Sequence, residues 1–172
     1  MMEYQVDDTD KRILSYLTKD ARVPLTEIAK GANISAAAVN QRIKKLKEAG
    51  VITGSRMEVK PAALGLTVCA FISVSLSEDN KYAEVVAALK HVPEVVECHF
   101  VTGRAALLIK VFCFSNEHLM DVLLNTIQRI PYISSTETLL SLDEAFSRQV
   151  WVKGSNPAAA LSSSAATGSL LR

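Results

Sequence analysis

One stretch of the sequence combines cations and an amide side chain at helical spacing. Residues 34–60 carry six Lys or Arg against two acidic residues, Glu48 and Glu58. On a helix over residues 36–49, the apolar side chains of Val39, Ile43 and Leu46 share one face. The opposite face then presents Ala37, Ala38, Gln41, Lys44, Lys45 and Glu48, with Arg42 and Lys47 at its flanks. A helix face of this composition predicts contact with a polyanion.

The order of side chains along this helix suits double-stranded DNA. Small residues and an amide lie near the helix start, where base edges are approached, and the cations lie further along, where phosphates run. Gln41 can pair bidentately with adenine, and alanine methyls can touch thymine methyls. The residues predicted to contact DNA are Ser35, Ala37, Ala38, Gln41, Arg42, Lys44 and Lys45. The alternative is a merely solvated helix face, which accounts for the charges but not for the elements around them.

Two shorter helices are predicted before the basic one. Asp7 or Asp8 caps the first, which runs through Leu17, and Asp7 with Asp10 imitates a capping box that has a shorter acid. The second opens after Pro24, with Thr26 as its N-cap. Residues 31–33 end this second helix.

The basic helix has its own start and stop signals. Ser35 is its predicted N-cap, and Gly50 stands where a C′ glycine ends a helix. The β-prone residues 51–53 and 56–59 then predict a small wing. Residues 1–60 are therefore predicted to form a winged helix-turn-helix domain, in which the basic helix enters the major groove.

The second half of the chain predicts a different architecture. Strands are expected over residues 67–76, 95–102, 105–114 and 133–142, and helices over residues 82–91 and 116–130. Gly103 and Arg104 are expected to join the middle two strands as a tight hairpin-like connection. The order βαββαβ is that of a ferredoxin-like sandwich over residues 67–153. The fold class is α+β, with a linker at 61–66 and a low-complexity, disordered tail at 154–172.

Composition and charge bound the function. The chain has 172 residues, of which 49% are apolar and 22% charged, which is typical of a globular protein. Residues 1–60 hold 11 basic and 8 acidic groups, whereas the remainder holds 8 and 10, so only the first half favours a polyanion. An acidic start and no run of ~18 apolar residues predict a cytoplasmic protein without a membrane partner.

The residues most often used in catalysis and metal binding do not cluster. They are Cys69, Cys98, Cys113, His91, His99 and His118. An odd number of cysteines without a CxxC pair argues against a disulfide framework and a zinc site, and Cys98 and His99 would point to opposite faces of a strand. His118, in the first turn of a helix, is expected at the surface. We therefore expect no catalytic residue, metal or cofactor, which leaves an enzyme as the weak alternative.

Short motifs recur along residues 6–145. In the first half they read DDTDKRIL (7–14), DAR (20–22), LTEIA (25–29), IS (34–35), VNQRIKKL (39–46) and EAGVI (48–52). In the second half they read LG (64–65), VTG (101–103) and TET (136–138). Together they resemble the leucine-responsive and asparagine-responsive (Lrp/AsnC, feast/famine) family of transcription regulators.

The resemblance implies a second domain that oligomerises and binds an effector. Such proteins form homodimers that often assemble into tetramers of dimers, with amino acids or related small molecules bound between dimers. The effector-binding residues that it implies here are Thr102, Gly103, Arg104, Ala105 and Thr136.

The chain departs from the family after the Thr-Gly pair. Acidic and aromatic residues are usual there, whereas this chain has Arg104, Ala105 and Ala106. An alanine side chain cannot accept a hydrogen bond from an α-ammonium group, while Arg104 adds a cation. This favours an organic acid, an acidic amino acid, or a ligand whose amine is held elsewhere, for example by Thr136 or Glu137 of the neighbouring dimer. The alternative is that Arg104 points to solvent and that no effector binds.

Oligomerisation is expected through the sheet, because helices on one face of a four-stranded sheet leave the other face open. The apolar residues expected to serve both faces are Val68, Ala70, Phe71, Ile72, Leu107, Ile109, Val111, Leu140 and Leu142. Two other functions stay open: a nucleoid-type DNA-binding protein without an effector, and a small-molecule sensor that does not bind DNA.

Overall fold

The computed structural model describes residues 4–152, which divide into two compact units. Residues 4–57 and 147–152 belong to the first unit, and residues 58–146 to the second. The sequence predicted a first domain at 1–60, a linker at 61–66 and a second domain at 67–153. In the structure, residues 58–66 group with the second unit and residues 147–152 with the first. Thr67 Oγ1 donates to Phe114 O at 2.8 Å, and Gly65 lies against the Phe114 ring. The expected tail at 154–172 lies outside the described residues.

The first unit consists of three helices, α1 (Asp8–Leu17), α2 (Leu25–Ala32) and α3 (Ala36–Glu48). Ile13 from α1, Ile28 from α2 and Val39 from α3 are fully buried and form the centre of the core. Leu46 is also fully buried and Ile43 packs against the core, so the predicted inward face of α3 is confirmed.

Helix boundaries follow the caps. Asp7 forms a reciprocal capping box with Asp10, and the Ser35 hydroxyl accepts from Ala38 N. The expected Thr26 cap is wrong: the carbonyl of Pro24 accepts from Glu27 N and Ile28 N, so the helix begins before Thr26.

Gly31 of α2 lies against the side chain of Tyr16 from α1. A Cβ atom on Gly31 would clash with the hydroxyl and ring of Tyr16 in their present position. Glycine inside a helix is less favourable than alanine by about 1 kcal/mol. The close approach of the Tyr16 ring is what favours glycine at this position.

The expected strands of the wing are absent from residues 51–59. Val51 N and Ile52 N both donate to Leu46 O, which folds the chain against the end of α3 instead. The residues after Thr53 are exposed, and an isolated two-stranded hairpin has little stability in water.

The second unit has the predicted βαββαβ order. Its strands are β1 (Val68–Leu76), β2 (Val95–Phe100), β3 (Leu107–Cys113) and β4 (Ile133–Ser141), and its helices are α4 (Tyr82–Leu89) and α5 (Asn116–Asp121). The antiparallel sheet has the order β2-β3-β1-β4. Its core includes Ile72 and Ile109 from the sheet with Val85 and Leu89 from α4, so the predicted ferredoxin-like sandwich is confirmed.

Two connections differ from the expected ones. The hairpin between β2 and β3 spans residues 101–106, because Val101 N donates to Ala106 O while Ala106 N donates to Val74 O of β1. The helix expected to reach residue 130 is α5 followed by a π-helical turn (Val122–Thr126) and a 3-10 turn (Ile127–Arg129).

Alternation along the strands separates two sheet faces. Ala70, Ile72 and Val74 point to the helices, whereas Cys69, Phe71 and Ser73 point to the other face. Register places a further set of side chains on that second face, which we call the open face: Leu108, Lys110 and Phe112 from β3, Glu97 and His99 from β2, and Glu137 and Leu139 from β4.

The apolar residues predicted to serve both faces of the sheet lie mostly on its helix side. Five of the nine predicted residues are fully buried under the helices: Ala70, Ile72, Leu107, Ile109 and Val111. Among the predicted residues that lie in strands, only Phe71 points to the open face; Leu140 is exposed but pairs with Ala70, on the helix side. Over residues 4–152, no helix is long and apolar enough to cross a membrane.

Candidate nucleic-acid interface and effector site

Helix α3 presents a polar face away from its core contacts. Ala37, Gln41, Lys44 and Lys45 are exposed, and Ala38 is half-buried. Lys44 Nζ lies 3.8 Å from Glu48 Oε1, a pair of exposed groups that holds the lysine only weakly. The exposed cations and the amide of Gln41 therefore lie on one surface, as the sequence predicted.

Besides Lys44, two other predicted DNA-contact residues have side-chain partners inside the unit. Ser35 is the N-cap of α3, and its side chain accepts from Ala38 N at 3.1 Å. Arg42, expected to contact phosphates, instead contacts two carboxylates. Its Nη1 donates to Asp7 Oδ2 at 2.7 Å and to Asp10 Oδ1 at 2.9 Å.

Asp10 is the centre of this contact. It is 1% exposed, and its Oδ2 accepts from the Tyr4 hydroxyl at 3.0 Å and from Asp7 N at 3.2 Å. Both carboxylate oxygens are therefore hydrogen-bonded. A buried carboxylate is tolerated only with partners of this kind.

The same contacts shift the pKa values of the groups around Asp10. The backbone N–H of Asp10, followed by the guanidinium of Arg42, lowers the pKa of Asp7. Burial and the hydrogen bond to Asp10 raise the pKa of Tyr4. The hydrogen bonds to Asp7 and Asp10 raise the pKa of Arg42, so all three groups keep the charge states that the contacts need at neutral pH.

A groove of about 490 Å³ runs between the N-terminal segment and α3. Its lining residues are Tyr4, Gln5, Asp7, Asp10, Ala38, Gln41, Arg42 and Lys45. The ion pairs of Arg42 and the exposed polar face of α3 thus share one surface. The pairing is not visible in the local sequence, because Arg42 lies 35 residues from Asp7 and 32 from Asp10. The available signal was the position of Asp10, which lies three residues before Ile13 and so on the same buried face of α1.

The effector residues implied by the resemblance occupy two separate places. Thr102, Gly103 and Arg104 are exposed in the loop between β2 and β3, where Gly103 has φ 123°. Thr136 lies in β4, pairs with Val74 and accepts from Gln128 Nε2 at 2.7 Å. Because β1 lies between β3 and β4, a single chain does not bring Thr136 to the loop.

The open face carries a second charged cluster, centred on Lys110. Lys110 Nζ lies 3.4 Å from Glu144 Oε2 and 3.9 Å from Glu97 Oε1. It also lies 5.7 Å from the ring centroid of Phe71 and 5.3 Å from that of Phe112. A groove of about 230 Å³ adjoins it, bordered on one side by Cys69 and Phe71.

The histidines and cysteines do not form a metal-binding cluster. Within residues 4–152 no group of His, Cys, Asp and Glu could hold a metal ion. Burial raises the pKa of the Cys69 and Cys113 thiols, which favours their protonated forms. His118 is half-buried rather than at the surface, because it stacks on Phe114 and its Nε2 lies 3.3 Å from Glu94.

Comparisons with known proteins cover both units. Residues 6–53 match the family model for winged helix-turn-helix DNA-binding domains, and residues 69–151 match that for the Lrp/AsnC ligand binding domain. The regulatory protein AsnC of Escherichia coli (strain K12) is 39% identical over 150 residues, which are 87% of this chain and 99% of that protein. The solved structure of E. coli AsnC aligns with a TM-score of 0.80 and covers 86% of this chain and 99% of its own.

A more distant solved structure carries a bound ligand. It is the feast or famine regulatory protein from M. tuberculosis complexed with L-methionine. It is 28% identical to this chain, aligns with a TM-score of 0.80, and covers 86% of this chain and 99% of that one.

Proposed function

The chain belongs to the Lrp/AsnC family of transcription regulators, and we propose that α3 is its recognition helix and reads operator DNA in the major groove. The observation that carries this proposal is the division of α3 into two faces. Val39 and Leu46 are fully buried, while Gln41, Lys44 and Lys45 are exposed on the other side. A helix held in this way can enter the groove without losing its core contacts.

The exposed side chains have different roles in the proposal. Gln41 and the methyl groups of Ala37 and Ala38 contact base edges, because amides and small apolar groups can distinguish bases. Lys44 and Lys45 contact phosphates. Ser35 holds the start of α3, whose free backbone N–H groups favour a nearby phosphate.

Binding by one such helix is weak, because few phosphates are contacted, so we expect a dimer that reads two half-sites about one helical turn apart. The open face supplies the interface in this proposal. Leu139 is exposed there, and Phe71, Leu108 and Phe112 are half-buried on a face that no helix of their own unit covers in the described part of the chain. A second copy would cover these apolar side chains and fits the assembly expected from the resemblance.

DNA selection followed by footprinting tests the recognition role. The full-length protein is used to select duplexes from a random pool, and the protected bases are mapped. We expect an imperfect palindrome, protected on two half-sites. Gln41→Ala should relax the preference at one base position, whereas Lys44→Ala should weaken selected and random duplexes alike. Protection of a single asymmetric half-site by a monomer would contradict the dimer.

We propose that the second unit binds a small acidic effector. A similar protein was solved with L-methionine, which supports a ligand of amino-acid size. The loop at 102–105 has a glycine that permits close backbone approach and a cation at Arg104, and both favour a carboxylate. Because Thr136 is separated from this loop by β1, the complete site needs Thr136 from a neighbouring dimer.

A thermal-shift screen of amino acids and organic acids tests the effector. A ligand present at 100 times its Kd stabilises the folded protein by about 2.7 kcal/mol. We expect shifts with acidic ligands that disappear in Arg104→Ala. Shifts produced only by neutral or cationic ligands would overturn the acidic-effector proposal.

The wider context of the proposal is a regulator that works on chromosomal DNA in the cytoplasm and has no catalytic activity. The raised pKa of the buried Cys113 thiol supports the lack of catalytic activity. Two alternatives are distinguished by the same experiments: selection of DNA without any ligand shift favours a nucleoid-type protein, and ligand shifts without salt-dependent DNA retention favour a sensor.

A further inference from the structure

We propose that Arg42 is a positioning residue of the recognition helix: its ion pairs with Asp7 and Asp10 fix the rotation of α3 and so select the base that Gln41 meets. This inference rests on the proposed function, because it takes α3 to be the helix that reads DNA. It replaces the role in phosphate binding that the sequence suggested for Arg42.

The ion pairs tie α3 to the start of a different helix. Asp7 precedes α1 and Asp10 lies in its first turn, whereas Arg42 lies in the middle of α3. Asp10 cannot follow a moving partner, because its second oxygen is held by Tyr4 and by the backbone of Asp7. Arg42 is therefore anchored to a carboxylate of fixed position.

Core packing alone does not fix the rotation of α3. The contacts of Val39, Ile43 and Leu46 are apolar and non-directional, whereas a hydrogen bond weakens steeply when its angle departs from linear. A rotation of about 10° moves an atom at the helix surface, ~5–6 Å from the axis, by about 1 Å. A displacement of that size is enough to lose a bidentate contact between Gln41 and a base.

The geometry argues against Arg42 as a phosphate ligand. Its Nη1 donates to two carboxylates at 2.7 and 2.9 Å. Transferring the guanidinium to a phosphate would leave the buried Asp10 carboxylate with neutral hydrogen-bond donors but without its cation, which is unfavourable. A phosphate approaching Arg42 would also meet the negative charges of Asp7 and Asp10.

The test compares two affinities of the full-length protein: that for a duplex it has selected from a random pool, and that for an unselected duplex of equal length. Both are measured over a series of salt concentrations. The variants are Arg42→Gln, which removes the ion pairs, and Asp7→Ser, which removes one partner while keeping an oxygen that caps α1. Asp8→Ser is the matched control, because Asp8 pairs with Lys11 and not with α3.

We expect Arg42→Gln to lower the ratio of the two affinities about tenfold while the salt dependence stays that of the wild type. Asp7→Ser should lower the same ratio, although it removes a negative charge near the DNA. The control should leave the ratio unchanged. A merely structural role of Arg42 would lower both affinities together through loss of folded protein and would leave the ratio intact.

Other outcomes overturn the inference. If Arg42 bound a phosphate, Arg42→Gln would reduce both affinities alike and the salt slope by about one, and Asp7→Ser would strengthen both. If Arg42→Gln fails to fold, as judged by circular dichroism, the sign of the Asp7→Ser effect decides. A wild type that binds both duplexes equally overturns the proposed function itself, whereas a selective wild type with unaffected variants overturns the positioning role alone.

Discussion

Two clusters in this chain place one cation between two carboxylates, and they differ in their distances and in the burial of one carboxylate. Around Arg42, both distances are below 3 Å; Asp10 is 1% exposed, whereas Asp7 is half exposed. Around Lys110, the distances are 3.4 and 3.9 Å, and Glu97 and Glu144 are 51% and 55% exposed. The first cluster is thus built on a buried carboxylate, whereas both carboxylates of the second reach solvent.

The difference separates two uses of charge. The cluster of Arg42, Asp7 and Asp10, here called the closed cluster, restrains the relative position of two helices, because Asp10 is buried and both of its oxygens are hydrogen-bonded. The cluster of Lys110, Glu97 and Glu144, here called the open cluster, is flanked by Phe71 and Phe112. It contributes little to the stability of its own unit and is available to a second surface. The first cluster is thus suited to positioning α3, and the second to an interface between copies.

The largest expected effect comes from breaking the closed cluster. Asp10→Ala should lower the free energy of unfolding of the first unit by about 3 kcal/mol, because it leaves Arg42, Tyr4 and the Asp7 N–H without their buried acceptor. Urea denaturation followed by circular dichroism measures this. The matched substitution Asp8→Ala, at a side chain that is 88% exposed, should change stability by no more than about 0.5 kcal/mol. Equal effects of the two would mean that the cluster is not closed.

A somewhat smaller effect is expected on the open face. Leu139→Lys places an unpaired cation beside Phe71 and near Lys110 in the proposed dimer interface. We expect dimerisation to weaken by about 2 kcal/mol, roughly 30-fold in dissociation constant, by analytical ultracentrifugation. Met120→Lys, an exposed apolar position on α5 under the other sheet face, should leave the dimer intact. An unchanged dimer in Leu139→Lys would remove the open face from the interface.

The fold of the second unit should depend little on the cation of the open cluster. Lys110→Met keeps the length of the side chain and its contact with the aromatic rings but removes the charge. Because both acidic partners are half exposed, the free energy of unfolding should change by less than about 1 kcal/mol. A loss comparable with that of Asp10→Ala, in the same urea experiment, would show that the two clusters are alike after all.

The smallest effect is a pH dependence confined to the closed cluster. The folded-state pKa of Asp7 is lowered, so its stabilising contribution is fully present above the unfolded pKa of about 3.8 and is lost as pH falls through the folded value. Thermal melts between pH 5 and pH 2 should show a steeper loss for the wild type than for Asp7→Ser. Parallel curves for the two proteins would contradict the role of the Asp10 N–H and of Arg42 in holding Asp7 ionised.

Local signals in the sequence were sufficient for most of the fold. The caps at Asp7 and Ser35, the inward face of α3 and the βαββαβ order depend on residues a few positions apart, and the structure has all of them. The resemblance to a family of transcription regulators was likewise confirmed by the comparisons. The DNA-contact and effector residues remain predictions.

The differences arose wherever the deciding partner is distant in sequence. The ion pairs of Arg42 were not predicted, because a helical wheel does not show a carboxylate 32 residues away. The two-residue hairpin at Gly103 was wrong because Ala106 bonds to Val74 of another strand. Similarly, β-prone residues after Gly50 gave no wing, because strand formation needs a partner strand and not propensity alone.

The contact between Tyr16 and Gly31 limits how this sequence can vary. While the Tyr16 ring keeps its present position, any side chain at residue 31 would enter the volume of the phenol ring. A substitution at residue 31 therefore requires the ring to move or a smaller residue 16 to replace it. In a library randomised at both positions and selected for folding, the two residues should covary, with glycine at 31 enriched among variants that keep tyrosine at 16.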